Sequence, residues 1–255
     1  TDTPASFVRF AGDVTLNGVT WEDPGAGEFQ VYQTTARLLG DAVIPAGHTL
    51  VVQGGEYNWQ GAQLTLPGGL FTNDGRIEGR TDGSGPTGLY LEADTTLTGS
   101  GEIALVDAPI GNEVSGVAGA ALTLGPTQVL RGNGQVAVEV VNQGLIRGEG
   151  GGGALSLSQG LTNTGTVTAA SGGTLVLSGA ISSTTDLVAP TGGTLRFSNA
   201  TVANAGHTLA ADGGTLVLES STINGGTLRA TDTPASFVRF AGDVTLNGVT
   251  WEDPG

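Results

Sequence analysis

Cysteine is absent from the 255 residues. Disulfides, thiolate metal sites and thiol nucleophiles are excluded together. Lysine is absent too, and the nine basic residues are all arginine against 24 acids, a net charge of −15. Such a surface repels nucleic acid and anionic lipid, so no nucleic-acid partner is expected. No run approaches the roughly 18 continuous apolar residues of a bilayer-crossing helix, so no membrane span is expected either. Aromatics make up 5% of the chain and prolines number ten, whereas glycines number 45 without a collagen-like triplet period. The remaining bulk is Val, Leu, Ile, Ala, Thr, Ser and Asn, which favours strands and turns over helix. At 38% apolar residues the chain is rich enough to bury a long, thin core.

The largest regularity is a verbatim duplication. The stretches 1–25 and 231–255 are identical, so Phe7 returns as Phe237 and Trp21 as Trp251. Positions 1–230 read as one full unit of a tandem array and 231–255 as the start of the next; a copy added to the end of one unit would give the same text. Thr1 follows no signal peptide and neither end shows a polar cap, as expected of a segment with covalent neighbours on both sides.

A shorter period runs inside the unit. Gly-Gly-Thr-Leu-x-Leu or -Phe recurs with its first apolar residue at Leu175, Leu195 and Leu216, and Val238 follows in the same rhythm. Val8/Phe10, Phe29/Val31 and Leu50/Val52 continue the same ladder at matching intervals. Each pair brackets one residue, the period of a strand with one buried face. Between pairs stand Asn–x–Gly turns, at Asn73, Asn142, Asn163, Asn204 and Asn224. They are read as corners needing left-handed backbone. Ala46-Gly47-His48-Thr49-Leu50 returns at 205–209, read as lying at a different place in the coil. In the irregular middle, Leu70 is taken as a missing ladder position; two wider gaps read either as two short coils each or as one coil carrying an excursion, with Val106–Gly119 and Arg147–Gly153 the candidate excursions. The prediction is an all-β, right-handed parallel β-helix (β-solenoid) with coils of about 20 residues, ten to twelve per unit. At ~4.8 Å per coil a unit rises roughly 50–55 Å.

The Asn–x–Gly and Gly-Gly-Thr-Leu pattern, tightest over 140–250, resembles the repeats of large secreted bacterial β-helical adhesins, the filamentous haemagglutinins and autotransporter passengers. The resemblance implies secretion to the cell surface or extracellular space, and a fibre whose partners are flanking copies of the same repeat and cell-surface glycans or matrix. The expected role is a stiff stalk or matrix filament without enzymatic activity. A carbohydrate-binding or carbohydrate-cleaving β-helix and a self-assembling filament subunit are the alternatives.

Catalysis by such a helix needs clustered carboxylates or a calcium site. The acids Asp41, Glu56, Asp74, Glu78, Asp94, Glu102, Asp107, Glu113 and Glu139 are scattered, and the denser group 22–28 reads as a solvated loop. His48 and His207 lack a partner at ligand spacing, no Gly-x-Ser-x-Gly elbow occurs, and the glycine run 148–153 reads as a flexible turn. Neither a metal nor a cofactor is expected. The candidate glycan-stacking residues are Trp59 and Tyr57, with Trp21, Tyr32 and Tyr90 as weaker members. Thr166 and Thr168 do not recur in every coil, so an ice-binding face is not expected.

Overall fold

The computed structural model describes residues 7–19, 28–40, 42–54, 61–80, 87–106 and 111–252. Among them there is no helix, and 31 short strands pair in parallel only. Each strand stacks on the strand one coil away, and the strands fall on three faces of a β-solenoid.

Face A begins with Phe7–Phe10, Glu28–Tyr32, Thr49–Gln53, Arg76–Arg80, Glu102–Val106, Val129–Gly132, Leu145–Gly148 and Thr166–Ala169. Leu187–Ala189 packs next to the last of these, and Thr208–Ala211, Thr227–Ala230 and Thr250–Glu252 carry the face onward. Face B runs from Val14–Asn17 through Thr35–Leu39 and Thr87–Leu91 to Thr215–Glu219 and Phe237–Ala241. Face C runs from Val43–Ile44 through Ala121–Leu124 and Glu139–Asn142 to Thr222–Asn224 and Thr245–Asn247. Thr174–Ser183 and Thr194–Ala203 bend across two faces, B then C, with a register break between Leu177 and Gly179.

Alternation sends every second side chain inward, where it stacks on its counterpart in the next coil. On face A, Leu50, Ile77, Ile103, Leu130, Ile146 and Val167 form one column. On face B, Leu155, Leu175, Leu195 and Leu216 form another, and Leu157, Leu177, Phe197 and Leu218 a third. All are buried. A single coil has nothing to bury its apolar side against, so stability accrues interface by interface.

The expected ladders are real, but they are two. Leu175–Leu195–Leu216–Val238 lies on face B, whereas Val8–Phe29–Leu50 lies on face A. Coil length also varies more than expected. Thr49 pairs with Arg76, Arg76 with Glu102 and Glu102 with Val129, all long coils; Val129 then pairs with Leu145, a much shorter one. Within Val106–Gly119, Asn112–Gly116 is a regular face-B strand stacked on Thr87–Leu91, while residues 107–110 lie outside the described residues. Of Arg147–Gly153, Arg147 and Gly148 end a face-A strand, and 149–153 form the connection that leads to the face-B strand Leu155–Leu157. Leu70 points outward and is 67% exposed, while Phe71 beside it turns inward.

The five Asn–x–Gly turns all make one corner, from face C to face A. Left-handed backbone is not what most of their glycines supply: Gly75, Gly144 and Gly165 are outside the positive-φ set. A Cβ there would lie 2.5 Å from the His48 carbonyl oxygen, 2.2 Å from that of Gln128 and 2.2 Å from that of Gly144. Glycine is needed because successive corners stack backbone on backbone. At four of the five corners the asparagine is buried, and at Asn142 it satisfies the turn: Gly144 N–H donates to Asn142 Oδ1 (3.1 Å), and Asn142 Nδ2 donates to Asn163 Oδ1 one coil away (2.7 Å). Gln128, fully buried, serves the same corner; its Nε2 donates to the Asn73 and Thr98 carbonyls at 2.6 and 2.9 Å. The two Ala-Gly-His-Thr-Leu pentapeptides occupy this corner as well, and not different places. His48 N donates to Pro45 O (3.1 Å) and His207 N to Asn204 O (3.0 Å), with Gly47 and Gly206 at φ 80° and 81°.

Candidate functional surface

Trp59 and Tyr57 lie outside the described residues, as do Trp21, residues 22–27, Asp41, Glu56 and Asp107. Tyr32 faces outward on face A and Tyr90 outward on face B, so these two share no stacking platform. The outward Tyr32 ring instead carries the Arg9 guanidinium, 4.1 Å from its centroid. Outward threonines form single columns, such as Thr174–Thr194–Thr215 on face B and Thr208–Thr227–Thr250 on face A.

The most developed surface feature is a stripe of arginine and carboxylate along face A. Arg9 donates through Nε and Nη2 to Gln30 Oε1 (3.2 and 3.0 Å), and Gln30 Nε2 donates to Glu28 (3.1 Å). Arg80 joins Glu28 (3.5 Å) to Glu78, and Arg76 joins Glu78 to Glu102 (3.1 Å). Arg131 grips both oxygens of Glu102 at 2.7 and 2.9 Å, and its third nitrogen meets Glu149 (2.9 Å), which also receives Arg147. The chain of contacts is unbroken from Arg9 to Arg147. Five of the nine arginines are used in it, so the acid excess lies elsewhere in the chain. Glu149, in the glycine run 148–153, is thus an anchored ion-pair partner and not part of a loose turn.

The electrostatics follow from these contacts. The Arg131 hydrogen bonds hold the Glu102 carboxyl below its ordinary value; burial opposes the shift, and the charges of Arg131, Arg76 and Arg147 add to it. Arg131 is held above the ordinary arginine value by its hydrogen bond to Glu102, against burial and with the help of Glu149. For a carboxyl lowered by folding, the stabilisation is whole above the ordinary value of 4.5 and is lost as pH falls through the folded value. Arg131→Met should therefore cost about 1–3 kcal/mol at pH 7. It should also flatten the loss of stability between pH 5 and pH 3, read from urea midpoints against the parent chain.

Aspartates do a second job that spacing alone conceals. Asp74 Oδ1 accepts from Ser100 N (2.9 Å), Asp94 from Ala121 N (3.0 Å) and Asp186 from Thr208 N (2.8 Å). Each caps backbone one coil further on. The signal is an acid set one coil length before a Ser, Ala or Thr, readable only once the coil lengths are known. Of the expected scattered acids, Asp74, Glu78, Asp94 and Glu102 are thereby engaged in structure.

The concavities are shallow. One of about 250 Å³ on face B is lined by Thr35, Gln63, Glu113 and Ser115, and one of about 310 Å³ at the C-to-A corner by His48, Asp74, Arg76 and Glu102. In the second, Asp74 and Glu102 already hold Ser100 and the arginines. Among the described residues no group of three or more His, Asp or Glu is placed to hold a metal ion. His207 lies 4.0 Å from Asp186 at a separate corner. These charged and capping contacts tie coil to coil.

No protein-family model, curated protein or solved structure matches the chain. Architecture and surface together define it as a repetitive β-solenoid whose outer charges, like its inner columns, act between successive coils.

Proposed function

We propose that this chain is a structural tandem-repeat segment of a long extracellular bacterial surface fibre or adhesin, serving as a stiff stalk or matrix filament. The observation that carries the reading is the second copy of the duplicated stretch: Val238 stacks on Leu216 one ordinary coil away, with no linker between units. Solenoid coils thus pass from one unit into the next, and bending at the boundary would break the same ladders as bending anywhere else. The resemblance of the corner and strand motifs to secreted β-helical adhesins supports placing it at the cell surface. The acidic exterior supports a fibre that resists lateral sticking. Flanking copies of the repeat are the partners this role requires.

Two measurements test it. The reading frame around the segment should hold further copies of the stretch 1–230, and rods of purified native protein should lengthen by roughly 50 Å per copy in electron micrographs. A single copy in the frame, or rods that flex at unit boundaries, would refute the stalk.

A further inference from the structure

The duplicated stretch sits on different faces in its two copies. In the first, Phe7–Phe10 is on face A and Val14–Asn17 on face B. In the second, Phe237–Ala241 is on face B, Thr245–Asn247 on face C and Thr250–Glu252 on face A. Along face A, the starts of successive strands, 7, 28, 49, 76, 102, 129, 145, 166, 187, 208 and 227, mark ten coils, and Phe237 lies one face beyond. The unit from Phe7 to its twin Phe237 is thus ten and one-third coils long.

Each copy also shows the edge that the other leaves open. In the first, the strand Phe-Val-Arg-Phe is covered by Glu28–Tyr32, with Val8 opposite Phe29 and Phe10 opposite Val31, and Leu16 is covered by Leu38. In the second, the opposite edge of the same strand lies on Thr215–Glu219. At the second strand the difference in cover is visible in exposure, Leu16 being 8% exposed and its twin Leu246 39%, whereas Phe7 (52%) and Phe237 (46%) are open in both copies. Phe237, Phe240 and Trp251 stand open on the same last coil.

We infer that this open coil is an interface, and that its occupant is the segment of the next unit identical to Glu28–Leu39, docked in the register of the first copy. The inference rests on the array reading above. Arg239 would then find the counterparts of Gln30 and Tyr32 that Arg9 holds. Because the unit is one-third of a coil over an integer, every unit is turned by one face relative to the one before it. The arginine–carboxylate stripe moves from one face to the next and regains its starting face after three units. That is 31 coils, roughly 150 Å. A partner that reads the stripe would meet it on all sides of the fibre in turn.

The cysteine-free chain allows a direct test. Opposed residues on neighbouring strands are about 4.8 Å apart, within disulfide reach. In the full chain, Thr215→Cys with Phe237→Cys should close on oxidation, as should Phe7→Cys with Glu28→Cys. Closure of Thr208→Cys with Phe237→Cys instead would put both copies on face A, with a whole number of coils per unit, and would overturn the one-third turn. So would closure of neither Phe237 pair in a chain whose β-sheet circular dichroism is intact. Continuing the chain through a further copy of residues 26–53 should slow amide exchange across Phe237–Ala241 at least tenfold; unchanged exchange would reject the interface. A reading frame without further copies would refute the array while leaving the disulfide result as it stands, so the two failures are separable.

Discussion

A chain lacking Thr174–Gly193 should fold throughout, whereas a chain lacking only Thr174–Ser183 should lose its C-terminal coils. The first deletion removes one complete coil, because Thr174 pairs with Thr194. It joins Gly173 to Thr194, and Gly172-Gly173 then stands before Thr194 as Gly192-Gly193 does in the intact chain. On face B, Leu195 and Phe197 come to rest on Leu155 and Leu157, the residues that Leu175 and Leu177 covered. On face C, Val202 meets Leu161, which Ile181 had covered. One interface is lost and the others are unchanged, so the urea m-value should fall in proportion to the length removed, with a single transition retained. The shorter deletion takes the strand that serves faces B and C and leaves the rest of that coil in place. The chain then leaves face A and returns to it with nothing between, and every later strand is displaced from its column. Circular dichroism and gel filtration should show loss of the C-terminal coils and aggregation through their unpaired edges. If both deletions behaved alike, the coil would not be the unit of stability.

The same modularity explains what can be read in advance. Period-two pairs recurring about every 20 residues identify stacked coils, because an inward aliphatic residue must recur wherever a coil returns to the same face. They do not say which face. Leu50 on face A and Leu175 on face B are both leucines beside glycine corners, and in the sequence the two ladders look like one. In the middle coils, inward positions are held by Thr87, Asn112 and Gly134, and Asn112 Nδ2 donates to the carbonyls of Gly79 and Val106 at 3.0 and 2.7 Å. A polar core position satisfied by backbone carries no apolar signal, so regular strands there resemble excursions. Leu105 fills the space that Gly79 and Gly134 leave: a Cβ on either would come within 3.3 and 2.9 Å of its methyl groups. The arginine stripe is equally hidden, because Arg76 and Arg131 are both distant from Glu102 in sequence and meet it only through coils of uneven length.

Leu195→Asp should be the most damaging single substitution, costing at least about 4 kcal/mol at pH 7. Leu195 is wholly buried, with Leu175 in the coil on one side and Leu216 in the coil on the other. A carboxylate there would lie between the buried leucines of the coils on either side, in a column that holds no arginine. The lost apolar burial contributes about 2–3 kcal/mol, and the unpaired charge adds more. Relief of the charge comes through protonation, so the buried carboxyl would have a raised folded-state value. By linkage, its destabilisation grows as pH rises from the ordinary aspartate value through that raised value, then levels off. Leu195→Asn, alike in shape but without charge, should cost less and should show no such slope. Urea midpoints of the two variants between pH 5 and pH 8 decide the matter: parallel curves would mean that water or an arginine reaches the column, and that the core of the solenoid is wetter than its stacked leucines imply.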